Sequence, residues 1–218
     1  MPPPLVIAVD GPAASGKGTI ARALARHYGL PCLDTGKLYR ATGLALHRAG
    51  LAPEDEAAAA SAAAELDPAR LDDPALMSAD IARYASIVSA HPAVRSALLA
   101  RQRAFAAQPG GAVLDGRDIG TVICPDAPAK LFVTARAPVR AARRHAELAG
   151  SGDDRSLADV LADIEARDAR DSSRSAAPLR RAEDAALLDT SDLSIAAAVG
   201  QAIRLVEDAL ARRGPHSA

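Results

Sequence analysis

"LVIAVDGPAASGKGTIARALARHY" (residues 5–28) sets an apolar run of strand length, Leu5 to Val9, before a glycine loop and a helical stretch with Ile20, Leu24 and Tyr28 turned to one side. A continuous apolar run suits a strand of a parallel sheet buried on both faces. In such sheets ligands bind beyond the carboxyl ends of the strands, which is where this loop falls. Gly11 and Gly16 let main-chain N–H groups turn towards an anion with no Cβ in the way, and the helix starting near Lys17 adds its positive end. Lys17 can then neutralise the terminal phosphates. Gly11, Pro12, Ala13, Ala14, Ser15, Gly16, Lys17, Gly18 and Thr19 are therefore the candidate triphosphate cradle. An ordinary Gly/Ala turn into a helix is the alternative without a ligand. The strict pattern G-x-x-x-x-G-K-[ST] wants a hydroxyl directly after the lysine; here Gly18 stands in that place and the hydroxyl moves to Thr19.

Outward from this unit, strand-length apolar segments alternate with helical periodicity along the whole chain. Residues 30–33, 112–115, 129–135 and 185–189 read as four further strands. Helical spacing runs from Leu38 to Ala49, through Ile81, Tyr84, Ala85 and Val88, from Pro92 to Phe105, from about residue 138, from Ser156, and through Ile195, Val199, Ile203, Val206 and Leu210. Segment 52–80 is rich in Ala and punctuated by Pro, which predicts one helix and a loosely specified connection. The reading is an α/β fold, an approximately five-stranded parallel sheet with helices on both faces. One domain spans 1–218, with a helical region at roughly 35–110 and an arginine-bearing segment at roughly 138–180.

Composition narrows the partners. Lys and Arg number 26 against 27 Asp and Glu, and aromatic residues make up 2%. Such a chain offers neither a global basic field nor stacking platforms, which disfavours nucleic acid. No apolar run reaches a membrane span, and "MPPPLVIAV" lacks an export signal, so a cytoplasmic protein is expected. Cys32 and Cys124 sit singly among apolar residues, as small reduced side chains do, and the five His show no ligand spacing. No additional amphipathic surface is visible, so a monomer is expected.

Three clusters offer a place for a second substrate. In "DTGKLYR" (34–40), Asp34 and Thr35 cap a helix and Arg40 falls off its apolar stripe; an N-cap with a surface Arg is the plainer reading. In "LDGRD" (114–118), charges gather at the carboxyl end of a buried strand, where a simple Asp-Gly turn is the alternative. The third cluster lies on the helix from Ser156. Its apolar stripe of Leu157, Val160, Leu161 and Ile164 continues into Arg167, Asp171 and Arg174. Charges on an inward stripe need partners, so an anion or a ribose is expected there, while Asp168 and Arg170 on other faces read as surface charges.

The loop variant "GKGT" resembles that of nucleoside monophosphate kinases. Taken with "LDTGKLYR", "HPAVRSALLARQRAF", "LDGRDIGTVICPDAPAKLF", "RDARDSSR" and "LLDTSDLSI", the chain resembles the bacterial cytidylate kinases over most of its length. The resemblance implies transfer of the γ-phosphoryl group of ATP to CMP and dCMP, with Mg²⁺ that Thr19 contacts directly or through water. It implies that Asp118, Ser86 and Arg95 read the cytosine edge. Arg40, Arg117 and Arg174 would hold the acceptor phosphate with Thr35 and Tyr39 beside them, and Arg167 and Asp171 would meet the sugar. Arg140, Arg143 and Arg144 would belong to a lid over the triphosphate, with Lys17, Arg117, Arg143 and Arg144 acting on the transferred group. The family often carries a small antiparallel sheet before the "AS…VR" segment, and here "ELDPARLDDPALMSADIARYASIVSA" is too short and too helical for one. The alternatives are a kinase of another small acceptor such as UMP, and a regulatory module that binds nucleotide without transfer.

Overall fold

The computed structural model describes residues 4–150, 152 and 154–212. Leu5–Asp10 forms β1, and its alternation sends Ile7 and Val9 to one face and Val6 and Ala8 to the other, all buried or nearly so. Five strands pair in parallel in the order β2-β3-β1-β4-β5, with β2 at Cys32–Asp34, β3 at Gly111–Gly116, β4 at Ala129–Thr134 and β5 at Ala186–Asp189. Both neighbours of β1 arrive by crossovers, so the loop after β1 lies at a switch point of strand order.

One face of the sheet is covered by α1 (Lys17–Tyr28) and α8 (Ile195–Arg212), which bury Ile20, Leu24, Ala198, Ala202 and Val206 against Ile7, Val9, Leu131, Val133 and Leu188. The other face packs Val6, Ala8, Ala112 and Leu114 under α5 (Pro92–Ala106) and a short π-helical turn, Ile119–Ile123. A separate core joins α2 (Thr35–Arg48), α3 (Glu56–Ala64), α4 (Ala79–Val88) and α5 through Leu38, Leu44, Leu76, Ile81 and Leu98. At roughly 1.5–3 kcal/mol for each fully buried aliphatic side chain, this second cluster is enough to hold the helical region as a unit. Between α3 and α4 the prolines give two short 3₁₀ turns, Pro68–Asp72 and Pro74–Met77. Residues 52–80 are therefore helical, as expected, and contain no strand.

The arginine-bearing segment folds as α6 (Ala137–Ala149) and α7 (Leu157–Ser173), joined by their own small core of Ala141, Leu148, Val160 and Ile164. Ser151 and Asp153 in that segment, and residues 1–3 and 213–218 of the expected whole-chain domain, lie outside the described residues. Two helix phases differ from expectation. On α8, Ile195 is 72% exposed, and the small Ala198 and Ala202 take the inward positions, which lets the helix lie close to the sheet. On α7, Leu157 is exposed in the first turn. Among the described residues no helix is long and apolar enough to cross a membrane.

Candidate active site

The loop after β1 is fixed by close packing. A Cβ on Gly11 would stand 1.9 Å from the Val133 carbonyl oxygen, so β4 touches the loop backbone directly. Ala14 and Gly16 adopt φ of 57° and 87°, left-handed conformations of the kind from which anion-binding nests of main-chain N–H groups are built. Gly11, Pro12 and Ser15 form the buried underside, while Ala13, Ala14 and Gly16 to Thr19 face a cleft of about 640 Å³. Gly18 also has a steric reason. A Cβ there would come within 3.1 Å of Asp115 Oδ2 and 3.4 Å of Arg22, so the hydroxyl of the strict pattern would crowd the end of β3.

Lys17 reaches across the loop to Asp115, with Nζ 3.7 Å from Oδ1, and its side chain is 12% exposed. Burial, reinforced by Arg117, pushes the Lys17 ammonium down to about 8. Burial pushes the Asp115 carboxyl up to about 6 despite the neighbouring lysine, and its Oδ1 accepts no hydrogen bond. Asp115 lines the cleft without having a role among the sequence expectations; its signal is its place at the end of a buried strand.

The second-substrate clusters meet in the same cleft. Asp34 caps α2 by accepting from Gly36 N–H, and Thr35 Oγ1 donates to the Asp115 carbonyl at 2.8 Å, tying α2 to β3. Arg40 donates to the Leu76 carbonyl at 2.6 Å. Asp118 pairs with Arg95, whose guanidinium also stands 5.7 Å from the centre of the buried Tyr39 ring. Arg117 Nε donates to Asp171 Oδ2 at 3.0 Å, with Arg167 and Arg174 each 4.0 Å from the same carboxylate. Burial alone would raise Asp171, yet Arg117, Arg167 and Arg174 hold it below its ordinary range. Burial and the nearby Arg117 push Arg167 down to about 9. Arg167 Nε and Arg174 Nη2 are buried without a hydrogen-bond acceptor.

Eleven Lys and Arg side chains line the cleft against seven Asp and Glu, an excess of four positive charges in a chain whose formal net charge is −1. The cleft as a whole, with the glycine loop at one end and the α7 arginines at the other, therefore carries a local positive field. The sequence model described as cytidylate kinase matches residues 7–208. The chain belongs to the cytidylate kinase family. Among its relatives are a cytidylate kinase of Xanthobacter autotrophicus, 62% identical over 93% of this chain and 97% of the relative, and one of Rhodopseudomonas palustris, 56% identical over 96% and 99%. In fold the chain is similar to an uncharacterized protein from Eubacterium ventriosum (TM-score 0.53, 15% identity, 94% of this chain and 98% of the other). It is likewise similar to a sugar kinase from Janibacter (TM-score 0.50, 16% identity, 96% and 98%).

Within this cytidylate kinase fold the three arginines of α6 occupy different positions. Arg144 lines the cleft and pairs with Glu147. Arg143 donates to the Thr190 hydroxyl at 2.9 Å and to its carbonyl at 2.6 Å, and the Thr190 hydroxyl donates to the Ser15 carbonyl of the loop. Arg140 is buried, holding Asp168 with two bonds and the carbonyls of Ala135 and Ala13. Arg140 and Arg143 thus support the loop from behind instead of lining the cleft. Asp168, read from the sequence as a surface charge, is the partner of Arg140, and Arg170 reaches α4, its Nε donating to Ser86 Oγ at 3.2 Å. The reading of Asp168 changes because α6 packs on a face of α7 that periodicity alone leaves open to water, whereas Arg170 is exposed, as expected. Cys32 and Cys124 are free and half-buried, and burial raises both thiols to about 11, so neither is a ready nucleophile. Among the described residues no group of three His, Cys, Asp or Glu is placed to hold a metal.

Proposed function

We propose that this ATP-dependent phosphotransferase of the cytidylate kinase family transfers the γ-phosphoryl group of ATP to the 5′-phosphate of CMP and dCMP, giving CDP or dCDP and ADP. The observation that carries the reading is the common cleft, with a phosphate loop at one end and Asp118, Arg95 and Ser86 at the other. Cytosine presents an amino donor at N4 and acceptors at N3 and O2. A carboxylate with a hydroxyl answers the first and a guanidinium the second, whereas uracil reverses N3 and the group at C4 and leaves these groups mispaired.

An oxygen of the acceptor phosphate attacks the γ-phosphorus while the bond to the β,γ-bridging oxygen breaks, its electron pair leaving with ADP. The acceptor oxygen is anionic near neutral pH, so the chain need not supply a strong base. What it supplies is alignment and charge. Loop N–H groups and Lys17 hold the donor phosphates, Arg40, Arg117 and Arg174 hold the acceptor phosphate, and Arg167 with Asp171 meets the sugar. Arg144 faces the donor from α6, with Arg143 and Arg140 fixing the loop beneath it. Thr19 lines the cleft and would contact Mg²⁺ directly or through water; when bound with ATP, the ion would supply charge neutralisation at the phosphates. We take residues 35–110 as the acceptor-binding region, 138–180 as the lid and its flanks, and the protein as a cytoplasmic monomer acting on nucleotides alone.

A coupled assay of ADP release with ATP and Mg²⁺, offering CMP, dCMP, UMP and AMP separately, tests the reading. Turnover with CMP and dCMP far above UMP supports it, and equal turnover with UMP removes the base-reading assignment. Release of no ADP with any acceptor would favour a nucleotide sensor, which has little use for a second arginine cluster.

A further inference from the structure

Asp10, the last residue of β1, is a buried carboxylate outside the lining of the cleft. Its two oxygens each accept one main-chain N–H, Oδ1 from Ile119 and Oδ2 from Gly120, both at 2.8 Å. These are the two residues that follow Asp118. Asp118 itself is the residue from which the π-helical turn starts: its carbonyl accepts from Val122 and Ile123 while its side chain points to Arg95 and, at 3.9 Å, Arg174. At the far end of the turn, Arg103 of α5 donates to the carbonyls of Val122 and Ile123, each at 3.1 Å. A carboxylate thus holds the N–H end and a guanidinium the carbonyl end, the polarity that a helical turn favours. Gly120 admits the clamp: a Cβ there would come within 3.1 Å of the Lys130 stem and 3.4 Å of Asp10.

We propose that Asp10 is a positioning residue for base selection, fixing from the end of β1 the turn that aims Asp118, with Arg103 steadying its other end. The proposal rests on Asp118 reading the base. Burial, opposed by the two N–H bonds, raises the Asp10 carboxyl to about 7, and Asp118 and Asp115 push in the same direction. On the β4 side Lys130 keeps its ammonium on Asp184 and the Pro125 carbonyl. Protonation puts a hydrogen on one Asp10 oxygen and costs that oxygen its N–H bond, so aim is lost as pH falls through neutrality. Lys17 and Asp115 also titrate near this range, but they face phosphates that CMP and UMP share. Their effects cancel in the ratio of kcat/KM for the two acceptors.

The test measures that ratio from pH 6 to 8.5 in the wild type and in Asp10→Asn, Arg103→Met and Asp118→Asn, with KM for ATP alongside. An asparagine offers one acceptor where two are needed. Asp10→Asn is expected to lower the CMP/UMP ratio by about five- to twentyfold, mainly through KM for CMP, with KM for ATP within about twofold. Arg103 is exposed, so its replacement folds, and the loss there is about two- to threefold. The wild-type ratio rises with pH through about 7 and the Asp10→Asn ratio stays flat. If Asp118→Asn collapses the ratio while Asp10→Asn and Arg103→Met keep the wild-type value, the positioning role is wrong and the reading of Asp118 stands. A ratio unmoved by Asp118→Asn removes that reading and the proposal with it. Should Asp10→Asn fail to fold, Arg103→Met and the wild-type pH dependence decide by the same criteria.

Discussion

The two ends of the cleft that we assign to donor and acceptor are made of different materials. At the donor end the functional atoms are main-chain N–H groups, and their positions follow from packing: Gly11 against the Val133 carbonyl, Thr190 on Ser15, Arg140 on Ala13. At the acceptor end the functional atoms are side chains from α2, α4, α5, α7 and the turn after β3, and they hold one another: Arg95 on Asp118, Arg117 on Asp171, Arg170 on Ser86. A backbone site tolerates little movement and needs little rearrangement when an anion arrives. A site of mutual ion pairs must exchange partners, so its affinity is the difference between two sets of bonds.

The largest expected effects break the donor end. Gly11→Ala drives a Cβ into a main-chain oxygen that no side-chain motion can relieve, and Lys17→Ala removes the only lysine in the loop. Each should lower kcat by at least about a thousandfold in the ADP-release assay, with CMP binding in the absence of ATP left within about threefold. If CMP binding falls equally, the two ends are not independent.

Next comes Arg174→Ala at the acceptor end. It removes a buried guanidinium that also neutralises Asp118 and Asp171, and KM for CMP should rise about ten- to hundredfold while KM for ATP stays within about twofold. Unchanged acceptor affinity would overturn the inward-stripe assignment.

A pH profile sharpens the contrast. Lys17 is lowered to about 8 by burial, so in the free enzyme its charge is present below that value and lost above it. The profile of kcat/KM for ATP should therefore fall tenfold per unit above about pH 8, since this quantity reports the free enzyme. In Lys17→Arg the limb should vanish, whatever activity remains.

Arg140→Met is expected to act mostly on stability. Its loss leaves Asp168 unpaired and the Ala13 carbonyl without its donor, lowering Tm by about 5 °C and raising KM for ATP about threefold in a thermal melt and a saturation curve respectively. The smallest effect is that of Gly18→Ser, where Asp115 must shift by a few tenths of an ångström: KM for ATP about two- to threefold higher, with CMP unaffected.

The same contrast explains what could be read from the sequence. The sheet was legible because each strand is a continuous apolar segment, and the cleft-facing charges of α7 because Arg167, Asp171 and Arg174 keep the phase of Val160 and Ile164. Pairings between distant segments were not legible. Arg140 meets Asp168 only because two amphipathic helices pack on each other, and Asp10 meets Gly120 across 110 residues of chain. The phase of α8 slipped because the larger Ile195 looked like the anchor, whereas close approach to the sheet selects alanines.

The bare nitrogens of Arg167 and Arg174 have a consequence for the life of the protein. Buried donors without acceptors weaken the fold, and on the proposed assignment the sugar and the phosphate of the acceptor would supply what Arg167 and Arg174 lack, so the nucleotide would in effect be part of the interior. Ligand at a hundred times its Kd adds about 2.7 kcal/mol. A cell drained of nucleotides would hold a larger unfolded fraction of this chain and degrade it sooner, so that the amount of enzyme follows the supply of what it acts on. Limited proteolysis with and without CMP measures that dependence directly.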